Sequence, residues 1–467
     1  MRSFEPMKNM LIKNALLIVV FYLMPLNALG IKIDPGNKGK DTIICKEDEI
    51  TLGGKPTASE GLEPYKFEWK SDKGGFSSSD ANPKAKPTEN TTYTVKVTDA
   101  DNFECEATIK VIVCEPEKIK LGIKKTMASK SCFKVYVPTR WGGKLKITTT
   151  NGTITKLKYP DKSDYSNGSE TGTDKQGWYT FGVFDADNYE VKAEFIQTGQ
   201  ASKRPWNFYW WSLIPGTTTL YSIPGPLSKY DAKFGTTARS WEETNHGGTV
   251  GWFGHCLGAS YASILLNQPT AISGFSATND EMEGLWAELG EKDGIEICPD
   301  EVFGIPAGPP TSGSDATDAY AGKFHRIMEQ YVKGLGKVLQ SNLREDVPNT
   351  DGPDAVWNHG VWKYEAKYEE ASGDNEKVVK IAITVYANGD HTPPTDDVID
   401  RVISYVYIIE YSGGVVNESS GSQDWISVGG AAKYTPKWLS YITGVHWGGK
   451  NPFVTESKVR QVDNANH

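Results

Sequence analysis

A chain of 467 residues accommodates two to four domains of about 100–200 residues each, so a single small binding module is excluded. With 38% hydrophobic and 11% aromatic residues it can fill real cores, which excludes a mainly disordered chain. The 50 Lys and Arg against 59 Asp and Glu leave a net charge of −9, so no basic field exists to hold phosphate backbones, and no nucleic acid is expected among its partners.

The first thirty residues have the layout of a secretory signal. Arg2, Lys8 and Lys13 precede or flank an apolar run from Leu16 to Leu23, followed by Pro25, Ala28 and Gly30. The run is shorter than the ~20 residues a spanning helix needs, so residues 1–30 are expected to be removed and Ile31 to begin the mature chain. No later segment is apolar enough to span a bilayer, and the expected location is outside the cell or on its surface. Disulfides are permitted there. Four of the six cysteines, Cys45, Cys105, Cys114 and Cys132, precede residue 133, while Cys256 and Cys298 stand apart.

Residues 31–115 alternate apolar and polar positions in short runs: Tyr65, Phe67, Trp69; then Tyr93, Val95, Val97; then Ala107, Ile109, Val111, Val113. Turn-rich segments separate them, the pattern of a β-sandwich. The wording LGGKPTASEGLEPYKFEWK and ANPKAKPTENTTYTVKVTDADNFEC resembles PKD-type immunoglobulin-like modules. That resemblance implies a disulfide between Cys45 and Cys105. Residues 116–200 repeat the β style through Phe133, Val135, Val137, then Leu145, Ile147, then Tyr179, Phe181, Val183, and read as a second β domain. The tetrapeptide Asp-Ala-Asp-Asn occurs at 99–102 and at 185–188. Its oxygens suit calcium, but Asp and Asn also build turns through their own backbone bonds, so no metal site is assigned.

After Arg204 the composition changes, and all seven histidines lie beyond residue 245. Helices are expected over Cys256–Leu266, Asp280–Glu291 with a Thr278/Glu281 capping box, and Ala319–Leu339. Strands return at Val361–Tyr368, Val378–Tyr386 and Val402–Tyr411. Helices followed by an antiparallel sheet make residues 201–467 an α+β domain.

Within Gly251–Ser260 a glycine-rich loop meets a helix of small residues, with Cys256 at the helix start. Unpaired N–H groups and the helix dipole there favour a thiolate, the nucleophilic form of the side chain. The bland alternative is a buried small hydrophobe or a partner for Cys298.

The segments KYDAKFGTTARSWEE, GWFGHCLGASYASILLNQP, EGLWAELGE, KFHRIMEQYV, DAVWNHGVWKYE and ITVYAN, in that order from about Trp206 to Ser440, closely resemble the transglutaminase-elicitor family of secreted enzymes. The resemblance implies a papain-like or transglutaminase-like fold in which Cys256 forms a thioester with a protein glutamine and passes the acyl group to an amine. Such a thiol needs no cofactor, and calcium is the one ion the reading leaves open. The family's F-H pair falls on Phe324-His325 and its V-W-N on Val356-Trp357-Asn358. Near the C-terminus Tyr434-Thr435-Pro436-Lys437-Trp438 departs from the family's pattern.

A thiol nucleophile needs an imidazole and a group that fixes its tautomer. His325 with Asn358 gives the order Cys, His, Asn of papain-like enzymes. His359, at a strand start, is the alternative base, and His255 is assigned to structure or substrate binding. His325 also reads as a core histidine amid Phe324, Ile327, Met328 and Tyr331, and Asn358 as a turn residue. Trp252 and Trp357 are candidates to shield the thioester from water, against simple packing. Three functions follow: a protein-glutamine γ-glutamyltransferase, a papain-like cysteine peptidase with the same groups, and a non-catalytic surface-binding protein.

Overall fold

The computed structural model describes residues 30–467 except 156, 162–169, 174, 215, 247–253, 292–294, 304–320, 344–356, 372, 374, 392–399, 420–423, 427–435 and 437. The proposed leader and Trp252 lie outside the described residues. The chain is β-rich, with 40% strand and 18% helix, and among the described residues no helix is long and apolar enough to cross a membrane. Two compact units result.

The first unit comprises residues 1–117 with 130–133 and 180–185. Strands β1 (Thr42–Cys45), β2 (Lys66–Ser71), β3 (Thr91–Thr98) and β4 (Glu104–Cys114) form a sheet in the order β1-β4-β3-β2, extended by Ser77–Ser78. Alternation dictates its faces: Tyr93, Val95 and Val97 are buried on β3 and meet Ile109, Ala107 and Cys105 on β4 in register. Trp69, fully buried, places its indole N–H 3.1 Å from the Asp80 carbonyl. The expected strands are all present. Asp99–Asn102 is a turn: the Asp99 carboxylate accepts the N–H groups of Asp101, Phe103 and Leu62.

The Cys45–Cys105 pairing does not hold. Cys45 bonds Cys132, with Cα atoms 5.6 Å apart, and Cys105 carries a thiol. The reason is register: β1 runs parallel to β4 and sets Cys45 opposite Cys114. Cys105 lies nine residues back along β4, roughly 30 Å at 3.3 Å per residue, far beyond the ~7 Å that a disulfide spans.

The second unit takes the remaining residues from Lys118 to His467. Its main sheet contains β5 (Gly143–Thr149), β6 (Tyr189–Gln200), β7 (Leu339–Leu343), β8 (Trp357–Glu370), β9 (Val378–Ala387), β10 (Arg401–Ser412) and β11 (Trp438–Val445). Strand β8 is the hub. Its first half pairs with β7 and its second half with β6, while β9 runs along the other edge. The expected second β domain, 116–200, is divided. Lys124–Met127, Gly143–Thr149, Glu170–Thr173 and Tyr189–Gln200 join the sheet that carries the candidate site, with Phe195 paired to Tyr368 and Gly199 to Tyr364. Glu117–Lys118, Ser131–Val137 and Gly177–Val183 form a three-stranded sheet of their own.

The helices are α1 (Pro226–Phe234), α2 (Ala238–His246), α3 (Cys256–Leu265), α4 (Asn279–Leu289), α5 (Ala321–Ile327) and α6 (Glu456–Val462). The α4 capping box is present, Thr278 Oγ1 accepting from Glu281 N at 3.2 Å and Glu281 Oε2 from Thr278 N at 2.8 Å. Helix α3 packs so closely on α4 that a Cβ at Gly258 would sit 1.9 Å from the Ala287 carbonyl oxygen. The expected helix to Leu339 ends earlier. A wider turn over Met328–Gly334 follows α5, Gly336 takes φ 61, and Leu339 opens β7.

Candidate functional site

The residues before α3 are fixed by backbone bonds before any chemistry is considered. His255 N–H donates to the Trp210 carbonyl at 2.8 Å, and Gly254 bridges to Ser212. His255 is the N-cap, so Cys256 is the first helical residue, buried and carrying a thiol. Helix α3 lies on the start of β8, and there Asn358 Nδ2 donates to Cys256 Sγ at 3.3 Å. The Asn358 Oδ1 accepts from Gln340 Nε2 at 3.4 Å, which orients the amide with its N–H groups toward sulfur. Cys256 and Asn358, 102 residues apart, are brought together.

His325 is not placed to serve Cys256. Its Nδ1 lies 2.7 Å from the Tyr407 hydroxyl and its Nε2 2.9 Å from that of Tyr368, so both ring nitrogens are engaged in a polar core. Glu329 belongs to the same cluster, accepting from Thr139 at 2.7 Å, Gln197 at 2.9 Å and Tyr411 at 3.1 Å. Burial alone would raise the Glu329 carboxyl, but attraction to His325 and hydrogen bonds from His325, Thr139 and Gln197 hold it below its ordinary range.

His359 is fully buried on β8 and stacks on Phe208 at 6.4 Å, a ring in the same apolar cluster as Cys256. Its Nδ1 is 2.9 Å from the Asn388 carbonyl. A carbonyl only accepts, so Nδ1 carries the proton and Nε2 the lone pair. Sequence reasoning missed Asn388. Its Oδ1 accepts from Gly360 N at 2.6 Å, while its Nδ2 donates to the Trp206 carbonyl at 2.7 Å and to Ser263 Oγ on α3 at 3.0 Å. The residue ties β8, α3 and the Trp206 segment together. An Asn-Gly pair after a strand reads simply as a turn, which hid it.

His255 is surrounded by carboxylates. Nε2 is 3.4 Å from Glu242, and Nδ1 is 3.0 Å from Glu291 and 3.5 Å from Glu288. Burial would depress this imidazole, but Glu291, Glu242 and Glu288 hold it well above its ordinary value. Burial pushes the Glu288 carboxyl up to about 8, and Glu242 is drawn down to about 2 despite its burial, by the hydrogen bond from His246 and by His255. The Trp357 backbone opens β8 opposite Leu343.

No protein-family profile and no curated protein matches the sequence. Thirteen chains of solved structures do. One, described as "Structural basis for the promiscuous specificity of the carbohydrate-binding modules from the beta-sandwich super family", is 14% identical and covers 35% of this chain and 90% of that one, at a TM-score of 0.15. Another, "The structure of CBM51-2 in complex with GlcNAc and INT domains from Clostridium perfringens ZmpB", is 11% identical over 35% of this chain and 43% of that one, at a TM-score of 0.12. Likenesses at those scores carry no argument about this chain.

Proposed function

We propose that the chain is an exported protein-glutamine γ-glutamyltransferase with Cys256 as its nucleophile. The observation that carries this reading is the Asn358 amide on the sulfur of a thiol at the first turn of a ten-residue helix. Both donors favour the thiolate. His359 Nε2 takes the Cys256 thiol proton as the sulfur attacks the γ-carboxamide carbon of a glutamine; the C–S bond forms, the C–N bond breaks, and His359 returns that proton to the leaving ammonia. An amine then attacks the thioester and gives its proton to His359 Nε2; the new C–N bond forms, the C–S bond breaks, and His359 passes the proton to the released Cys256 sulfur. Asn388 keeps the His359 tautomer that this exchange requires. The leader-like first thirty residues support export.

The test is incorporation of monodansylcadaverine into casein by wild type and Cys256→Ala. Labelled, uncleaved casein from wild type and none from Cys256→Ala is the expected result. Cleaved casein without label would turn the reading to a cysteine peptidase, and equal labelling by both proteins would end it.

A further inference from the structure

The geometry around His255 points to a second site, and we propose that Glu242, His255 and Glu288 bind one divalent transition-metal ion of the zinc class. One ligand atom from each lies within 4.8 Å of the others, and all three side chains are buried. A tetrahedral ion with bonds of about 2.0–2.2 Å holds its ligands roughly 3.4 Å apart, so small carboxylate rotations complete the set.

The cluster differs from an ordinary buried ion pair in two ways. First, three carboxylates approach the ring at 3.0–3.5 Å, yet neither ring nitrogen has a directed hydrogen bond, and Glu288 Oε2 has none either. Buried polar atoms in folded proteins are almost always satisfied, and here both nitrogens of His255 and Glu288 Oε2 lie unsatisfied in one cluster. Second, the carboxylates are held from behind. Asn451, itself buried, gives its backbone N–H to Glu288 Oε1 at 3.2 Å and its side-chain amide to Glu242 Oε2 at 3.3 Å. His246 Nδ1 lies 2.5 Å from Glu242 Oε1. Outer partners that orient ligating carboxylates are the usual surroundings of a metal centre.

Donor chemistry selects the ion. One imidazole with carboxylates suits zinc, manganese or cobalt, whereas calcium prefers six or more oxygens. His255 Nε2 faces Glu242 and takes the ion, and Nδ1 turns its proton to Glu291. The ligands come from α2, the N-cap of α3 and the last turn of α4, so the ion ties three helices together beside Cys256. The inference stands whichever reaction Cys256 performs.

The experiment uses untagged full-length protein freed of metal by chelator dialysis and titrated with cobalt, then zinc. The expected result is one equivalent of cobalt with visible bands of an N/O-ligated ion, displaced by zinc. Affinity should fall by at least ~10²-fold in Glu288→Gln and by about 10–100-fold in Asn451→Ala, and be unchanged in Cys256→Ser. Near-ultraviolet circular dichroism checks folding; if Glu288→Gln unfolds, the wild-type spectrum and Asn451→Ala decide. No uptake, a sulfur charge-transfer band, or a folded Glu288→Gln of wild-type affinity would overturn the proposal; His255 would then be a plain imidazolium clamped by carboxylates.

Discussion

His325 and His255 are both fully buried, and both sit beside glutamates. Around His325 both ring nitrogens meet tyrosine hydroxyls, and three donors reach one oxygen of Glu329, whose other oxygen has no directed partner. Around His255 the neighbours are close but misaligned, and the ring keeps two nitrogens without directed partners. The contrast separates two uses of a buried imidazole. A ring with both nitrogens engaged specifies and stabilises a core; a ring with both nitrogens unengaged among carboxylates leaves coordination capacity for a ligand.

The sharpest test of that contrast is catalytic. His359→Ala should lower amine incorporation per folded molecule by ~10²–10⁴, as expected for loss of a general base, beyond whatever stability the loss of a buried ring costs. His325→Ala should do the reverse: activity per folded molecule close to wild type, with stability lower by about 3–5 kcal/mol because a fully buried ring is lost and the Tyr368 and Tyr407 hydroxyls lose their partner. A stable, inactive His325→Ala would break the comparison and restore the Cys, His, Asn order as the machinery.

Next in size is the disulfide of the first unit. Cys132→Ser should cost about 2–4 kcal/mol, since a bridge closing 87 residues constrains the unfolded chain. Cys105→Ser should stay within ~0.5 kcal/mol, because that thiol is half-buried at a strand end. Thermal melts and non-reducing peptide mapping measure both, and an equal loss from Cys105→Ser would show that the bridge has been misassigned.

Local physics was legible in the sequence, and long-range partnership was not. The β3 alternation, the Thr278 capping box and the position of Cys256 at a helix start all rest on periods of two and 3.6 or on near neighbours, and all three are present. Asn358 came from a motif, and its contact with sulfur follows from α3 packing on β8. His325 misled for a physical reason: the sequence shows an amphipathic helix with a histidine, but not the three strands whose Gln197, Tyr368, Tyr407 and Tyr411 enclose it. The Cys45 partner depended on the direction of β1, parallel to β4, which alternation cannot encode. The Glu242, His255 and Glu288 group draws on three helices, and no spacing rule joins residues 242, 255 and 288.

The smallest effect concerns acid stability, and it comes from Glu329. This carboxyl is held below its ordinary range, so folding favours its charged form. The groups facing it are His325 from α5, Tyr368 from β8, Tyr411 from β10, Lys333 from the turn after α5, and the uncharged Thr139 and Gln197. An unfolded glutamate titrates near ~4.3. Its lowered folded value means that the stabilisation is complete above that pH and is lost as pH falls through the folded value. The wild-type urea midpoint should therefore drop on acidification below pH ~4.3. Glu329→Gln keeps an oxygen for Thr139 and Gln197 but carries no charge. It should be less stable near neutrality by about 1–3 kcal/mol, the worth of hydrogen bonds to a charged group. That deficit should shrink as wild type loses its own charge, so the two curves converge in acid. Parallel curves would mean that the network holds His325 by shape and hydrogen bonding alone, and the contrast with the carboxylates around His255 would then rest on hydrogen-bond geometry without a contribution from charge.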